Sequence, residues 1–246
     1  MIIGSNIIHH ATLSSTNTEA SQLLRSGEFM EGTVIYADHQ SEGKGQQGNR
    51  WESEQGKNLL FSVILYPQAV SPEDQFLISM CFSLGICDFL DNHIRGTKIK
   101  WPNDIYLKDD KIAGILIENS ITGATIENSI VGIGLNVNQE DFGSVLPRPV
   151  SLMMASGKKF DINICLKELL YDLDIRYKQL LYGDRMLIKS DYLSRLYRFM
   201  EWHSFESADS VFTGRIIDVL VSGIIRIEEK EGRMREFFFK EFRYLS

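Results

Sequence analysis

With 246 residues, 43% of them hydrophobic and 24% charged, the chain has material for one good core and a small second one. A formal net charge of -7 and a pI near 5.3 disfavour a nucleic-acid surface, which needs a basic patch, but still admit small anionic ligands that require only local cations. Cys81, Cys87 and Cys165 are odd in number and form no metal-spaced pair, which argues against a disulfide framework and fits a reducing cytoplasm. Neither a signal-peptide layout in residues 1–10 nor a run of about 18 apolar residues is found, so a cytoplasmic protein without a membrane span is expected.

In chain order, Thr16 with Glu19 reads as a capping box opening a helix through Ala20, Leu23 and Leu24, with Gly27 as its stop. A strand from Thr33 to Ala37 follows. The stretch from His39 to Lys57 is polar and carries Gly43, Gly45, Gly48 and Gly56. It is too long for an idle connection in a compact domain, and such loops are functional or disordered. Asn58 to Leu65 reads as a buried strand. Ser71-Pro72 opens an apolar helix that reaches about His93. Strands are predicted for Lys98–Trp101, Ile105–Leu107, Ile112–Glu118 and Thr125–Val137, with hairpin turns at Lys108–Lys111 and Thr122-Gly123. Leu166, Leu169, Leu170, Leu173, Tyr177, Leu180 and Leu181 recur at helical spacing between Asp161 and Tyr182, and another helix covers Met186 to Leu196. From Phe212 on, β-rich runs alternate with Ser222-Gly223 and Glu231-Gly232 turns. The expected division is residues 1–199 as a main unit and 200–246 as a small β-barrel. Strands and helices segregate, which makes the main unit α+β.

Four stretches have the composition of a site. Gly43-Lys44-Gly45-Gln46-Gln47-Gly48 matches G-x-G-x-x-G in form, but it runs into Asn49-Arg50-Trp51 instead of opening a helix, so it is not a dinucleotide fingerprint. Its closely spaced glycines could expose N–H groups to an anion beside Lys44 and Arg50; taken alone, it is equally a flexible surface loop. In Lys100-Trp101-Pro102-Asn103-Asp104, Pro102 restricts Trp101 and so aims Asn103 and Asp104, although Pro-Asn-Asp is also good turn chemistry. Gly114, inside the apolar run after Lys111, suggests a bulge or a close approach to a ligand. Gly132 and Gly134 strip side chains from one face of a strand, making room either for a flat group such as a purine or for a packed helix.

Ordered as STNTEA, ADHQSEGKGQQGNRWESEQGKNLLFS, KWPNDIYLKDDKIAGILIE and GIGLNVN, these stretches resemble the biotin–protein ligase family over about residues 9 to 140. The resemblance implies the mixed sheet flanked by helices that biotin ligases share with class II aminoacyl-tRNA synthetases, plus a small C-terminal SH3-like β-barrel. It implies activation of biotin with ATP to biotinyl-5′-AMP and transfer to a lysine of a carboxylase's biotin carboxyl carrier domain. ATP and Mg²⁺ are the expected substrate and activating ion, with no tightly bound cofactor, and a homodimer is compatible. Position by position, it assigns Ser15, Thr16, Asn17 and Gln40 to biotin, whose ureido ring offers one acceptor and two donors. Lys44, Gly45 and Gln46 occupy the family's Arg-Gly-Arg segment, which closes over biotin and the adenylate. Lys44, Arg50, Trp51, Asn103, Lys111 and Asn136 fall on the nucleotide side. Lys111 is the cation beside the biotin carboxylate and α-phosphate, and Asp104 the acid that orients the acceptor lysine. The stretch from His39 to Lys57 would be a lid that shields the mixed anhydride from water. The chain departs from the family at Gln46, which is uncharged. Many relatives carry an N-terminal helix-turn-helix, for which the residues before Ser15 leave no space. Lipoate–protein ligases share the fold and chemistry, but GKGQQGNRW together with KWPND favours biotin.

Overall fold

The computed structural model describes residues 1–27, 29–143 and 148–245. Its main sheet has seven strands: β1 (Ile7–His10), β2 (Val34–Ala37), β3 (Leu59–Leu65), β4 (Thr97–Lys100), β5 (Asp104–Leu107), β6 (Asp110–Thr122) and β7 (Thr125–Leu135). They run in the order β1-β2-β3-β7-β6-β5-β4. β1 and β2 are parallel and every other neighbouring pair is antiparallel, giving the mixed sheet expected.

Alternation along the two central strands assigns the faces. On β3 and β7, Phe61, Val63, Leu65, Val131, Ile133 and Leu135 enter the large core. Helices α2 (Phe76–Asp91), α4 (Ile162–Tyr182) and α5 (Arg185–Ser194) cover that side. Their packing is tied by Arg176, whose guanidinium reaches Asp88 at 2.6 Å and Asp191 at 2.7 Å. The intervening residues point to the other face, where Ile64 and Ile130 meet Ala20 of α1 (Thr16–Ser26). α1 covers only part of that face. The rest, over Ser62, Gly132, Gly134 and Gly114, is where the candidate residues gather.

A five-stranded antiparallel sheet follows, made of β8 (Trp202–Ser207), β9 (Val211–Val219), β10 (Ile225–Glu229), β11 (Met234–Phe237) and β12 (Phe242–Tyr244). It is the SH3-like unit of the tail. It is not insulated from the main sheet: Phe205, Ile216, Phe237 and Phe242 belong to the same buried cluster as Trp101 and Leu196. Trp101 stacks on Phe242 at 5.6 Å and donates its indole N–H to the Gly223 carbonyl at 3.0 Å.

Two local expectations change. Thr16 and Glu19 form no capping box: Ser15 is the N-cap, its side chain makes no capping bond, and the Thr16 N–H is taken by Gln40 Oε1 at 2.7 Å. A tertiary partner has replaced the local one. The helix expected from Ser71 is interrupted, Pro72–Asp74 forming a 3₁₀ turn before α2 starts at Phe76. Strands β1, β8 and β12 and the five-residue helix α3 (Leu152–Ser156) are additions to the expected elements; β8, Trp-His-Ser-Phe-Glu-Ser, is long enough to show a period but lacks a clean apolar–polar alternation.

Candidate active site

The site is built on the bared half of the sheet. Ser62, opposite Gly132 across β3 and β7, places Oγ 2.6 Å from Asn17 Oδ1 and 2.7 Å from Thr16 Oγ1. Since an amide oxygen only accepts, the Ser62 proton goes to Asn17. The Asn17 amide donates to Glu118 Oε2 at 2.7 Å. Gln40 Oε1 accepts from the Thr16 N–H at 2.7 Å, and the Thr16 hydroxyl, 3.1 Å from the same oxygen, gives its one proton to the closer Ser62 Oγ. Ser15, Thr16 and Asn17 are nearly fully buried, so these polar groups are locked in a network with few alternatives.

The two alternating glycines are filled from above, by different groups. A Cβ on Gly132 would lie 2.1 Å from Asn17 Oδ1, so close packing against α1 is the reason for this glycine. On Gly134 it would lie 2.4 Å from the Trp51 indole. Gly114 is the register partner of Gly134 on β6, and a Cβ there would meet Trp51 at 3.0 Å. The flat group seated on this glycine pair is thus the protein's own tryptophan. Of the two readings of Gly114, a bulge or a ligand's close approach, the bulge falls two residues earlier, where Ile112 is the extra residue between the pairs Ile105 with Ala113 and Tyr106 with Lys111. Gly132→Ala is therefore expected to dislodge Asn17 and to destabilise the fold by about 1–3 kcal/mol, as overpacking does. A urea midpoint within error of the parent would sink this reading of Gly132.

The glycine loop folds back on itself as a narrow finger. Lys44 and Arg50 form a bridge, the Gly45 N–H donates to the Asn49 carbonyl at 2.7 Å, and a short 3₁₀ turn, Gln46–Gly48, makes the tip. Trp51 N–H donates to the Gly43 carbonyl at 2.9 Å, returning the chain to the sheet. The Trp51 indole N–H and Gln46 Oε1 are buried without a hydrogen-bond partner among the described residues. Buried polar atoms left in that state are uncommon and fit a surface awaiting a ligand.

Asp104 and Lys111 meet: Lys111 Nζ lies 2.7 Å from Asp104 Oδ1, and 5.4 Å from the centre of the Trp51 ring. Asn103 is turned into the structure, its amide donating to the Ile115 carbonyl at 2.8 Å.

Together these residues line a cleft of about 260 Å³ that includes Ser15, Thr16, Asn17, Gln40, Lys44, Gly45, Gln46, Arg50, Trp51, Asn103, Asp104 and Lys111. Asn136 is not in it. It is nearly fully buried, donates to the Val150 carbonyl at 3.2 Å, and borders a second, adjoining cleft together with Arg50, Trp51 and Lys111. Trp51 and Lys111 thus stand at the junction of the two spaces.

Three contributors escape the sequence reading. Ser62 carried a signal, as the polar residue inside the apolar run Leu59–Leu65. Phe239 and Lys240 reach the cleft from the C-terminal sheet, and no local pattern announces that. With Lys240 the cleft is lined by four cations, Lys44, Arg50, Lys111 and Lys240, against the single carboxylate of Asp104. In a chain of net charge -7, that is a local concentration of positive charge suited to anions. Among the described residues no group of three or more His, Cys, Asp or Glu could hold a metal ion, and no helix is long and apolar enough to cross a membrane.

A mixed sheet carrying a polar, buried pocket and a cationic cleft beside a second cleft defines a protein that can hold a small polar group and an anion side by side. The profile of the biotin/lipoate A/B protein ligase family matches residues 10–136, and the chain belongs to that family. It is 30% identical to the bifunctional ligase/repressor BirA of Bacillus subtilis, over 94% of this chain and 72% of that protein. It is 29% identical to the biotin–[acetyl-CoA-carboxylase] ligase of Mycobacterium tuberculosis, over 69% of this chain and 63% of that one. Among solved structures it resembles the biotin protein ligase of Aquifex aeolicus in complex with biotin and ATP, with a TM-score of 0.80, 26% identity, and 97% and 98% of the two chains covered.

Proposed function

We propose that this protein is an ATP-dependent biotin–protein ligase. It joins biotin to ATP as biotinyl-5′-AMP, releasing pyrophosphate, and then transfers the biotinyl group to a lysine amine of a carboxylase's carrier domain, releasing AMP. The observation that carries the proposal is the seating of Lys111 at the junction of the two clefts, with the buried Ser15-Thr16-Asn17 network at one end. The Bacillus and Mycobacterium relatives are named as ligases of this kind, and the Aquifex structure holds both biotin and ATP.

In this reading Ser15, Thr16, Asn17 and Gln40 receive the ureido ring. Attack of the biotin carboxylate on the α-phosphate brings two anions together, so positioning and charge neutralisation carry most of the catalysis. Lys111 supplies charge at the point of attack. Lys44, Gly45, Gln46 and Arg50 hold the adenylate, Trp51 separates its two halves, and Asn103 and Asn136 support the nucleotide side. Asp104 then orients the incoming amine and helps it shed a proton. The cleft offers magnesium one carboxylate, already paired to Lys111. Mg²⁺, which favours phosphate oxygens and retained waters, fits as an ion carried by ATP, neutralising its phosphates.

The test is isotope exchange between pyrophosphate and ATP, followed by intact-mass measurement of a carrier domain. Exchange that requires biotin and Mg²⁺, and a carrier heavier by one biotinyl group, are expected. Exchange supported by lipoate and not by biotin would overturn the assignment.

A further inference from the structure

Lys100 ends β4 directly opposite Asp104 of β5. Its ammonium is not solvated as a surface lysine's would be. Nζ lies 4.4 Å from the centre of the Tyr106 ring, 4.9 Å from Tyr244 and 5.6 Å from Tyr197. Among the described residues its one hydrogen bond goes to Tyr106 Oη at 3.2 Å. The three rings come from three parts of the chain: Tyr106 from β5, Tyr197 from the segment after α5, and Tyr244 from β12 of the C-terminal sheet.

Burial pushes the Lys100 ammonium below its ordinary range, partly offset by Asp104. Ring faces compensate some of the lost hydration, but an apolar side chain of similar length would fill the cage without that cost. What an apolar residue could not supply is a fixed positive charge across the strand pair from Asp104. Directly opposite side chains of an antiparallel pair are near neighbours.

Asp104 is held by contact with Lys111. If Lys111 turns to the reacting carboxylate and phosphate, Asp104 loses that partner just before it is needed. We propose that Lys100 is the positioning residue for Asp104: caged by Tyr106, Tyr197 and Tyr244, it fixes a positive charge across the strand pair that keeps the Asp104 carboxylate aimed during transfer, and through Tyr244 it ties the C-terminal sheet to that step. The inference rests on the reading of Asp104 as the transfer acid.

The test separates the two half-reactions in the full-length protein, using Lys100→Met, Lys100→Arg, Tyr244→Leu, Asp104→Asn and the double variant Lys100→Met/Asp104→Asn. Single-turnover transfer is measured from pre-formed biotinyl-AMP to a carrier domain, beside biotin-dependent pyrophosphate exchange. Lys100→Met should slow transfer about tenfold, the scale of one unit charge acting over several ångströms in a partly buried site. Exchange should change less than about twofold, and Lys100→Arg should recover part of the loss. In the Asp104→Asn background Lys100→Met should add nothing, because residues acting as one unit are not additive. Tyr244→Leu, which leaves the lysine in place, should slow transfer in the same direction, and it keeps the proposal testable if Lys100→Met does not fold. Equal losses in both half-reactions, or a full additive loss in the double variant, would overturn the role of Lys100. Unchanged transfer in Asp104→Asn would instead remove Asp104 from the reaction, a separate failure read from a separate variant.

Discussion

Lys111→Ala should lower biotin-dependent pyrophosphate exchange at least about tenfold while moving the melting temperature by no more than a few degrees. The two halves of that expectation rest on different physics. Lys111 and Asp104 are each about a quarter exposed, 24% and 21%. A partly covered ion pair at the rim of a cleft contributes about 1 kcal/mol to folding, because water still screens part of it, and its loss shifts the melting temperature by a few degrees at most. In catalysis the same ammonium would face two anions forced into contact. Losing one charge-assisted interaction there costs about 1.5–3 kcal/mol, roughly ten- to a hundredfold in rate. Removing the lysine also takes from Asp104 its 2.7 Å partner while the phosphate approaches. Asp104→Asn in the Lys111→Ala background should therefore recover part of the lost exchange. Asp104→Ala alone should damage transfer more than exchange. If Lys111→Ala exchanges at the parent rate, the cation at the junction of the clefts is not part of the chemistry.

How much of this was legible in the sequence depends on the length over which a pattern repeats. The leucines of α4 recur through about four turns, and their face is the buried one observed: Leu166, Leu169, Leu170, Leu173, Tyr177 and Leu180 are in the core and Leu181 is partly buried against it. The ordered motifs locate most of the cleft, because Ser15, Gln40, Lys44, Trp51, Asp104 and Lys111 each lie in or beside a short run with unusual composition. The glycines of β7 were half legible. Period two says that Gly132 and Gly134 bare the same face, but not what sits on them, which turned out to be Asn17 and Trp51. What sequence patterning could not convey is contact between distant segments. Nothing local marks Phe239 and Lys240, and it is the packing of Trp101 against Phe239, Phe242 and Gly223 that brings that end of the chain to the cleft. Lys100 is a similar case: three tyrosines separated by up to 138 positions surround it, and no short motif spells out a cage.

The second large effect is expected in the finger, at Lys44 and Gln46. Family members commonly place arginines at both positions, and both can make charge-assisted contacts with an adenylate. Here Lys44 keeps one charge, while Gln46 can offer only neutral hydrogen bonds. Both side chains border the cleft, Lys44 exposed and Gln46 partly buried with its Oε1 lacking a partner. A neutral hydrogen bond is worth about 0.5–1.5 kcal/mol net, and one to a charged group about 1.5–3. Gln46→Ala should then speed release of pre-formed biotinyl-AMP roughly two- to tenfold, and Lys44→Ala roughly ten- to a hundredfold. The bridge between Lys44 and Arg50 is made by the backbone, so truncating the Lys44 side chain leaves the finger's own hydrogen bonds intact. The change in release thus reports on the ammonium and not on the loop's fold. Gln46→Arg should slow release if its charge reaches the phosphate, and should have no effect if Arg50, which borders both clefts, already fills that role. The measurement is the dissociation rate of biotinyl-AMP from each variant at matched ionic strength, since unequal salt would screen the charged contact more than the neutral one. If Gln46→Ala releases the intermediate as fast as Lys44→Ala, the ranking by charge is wrong. Gln46 would then be holding the adenylate by geometry, through the very oxygen that has no hydrogen-bond partner among the described residues.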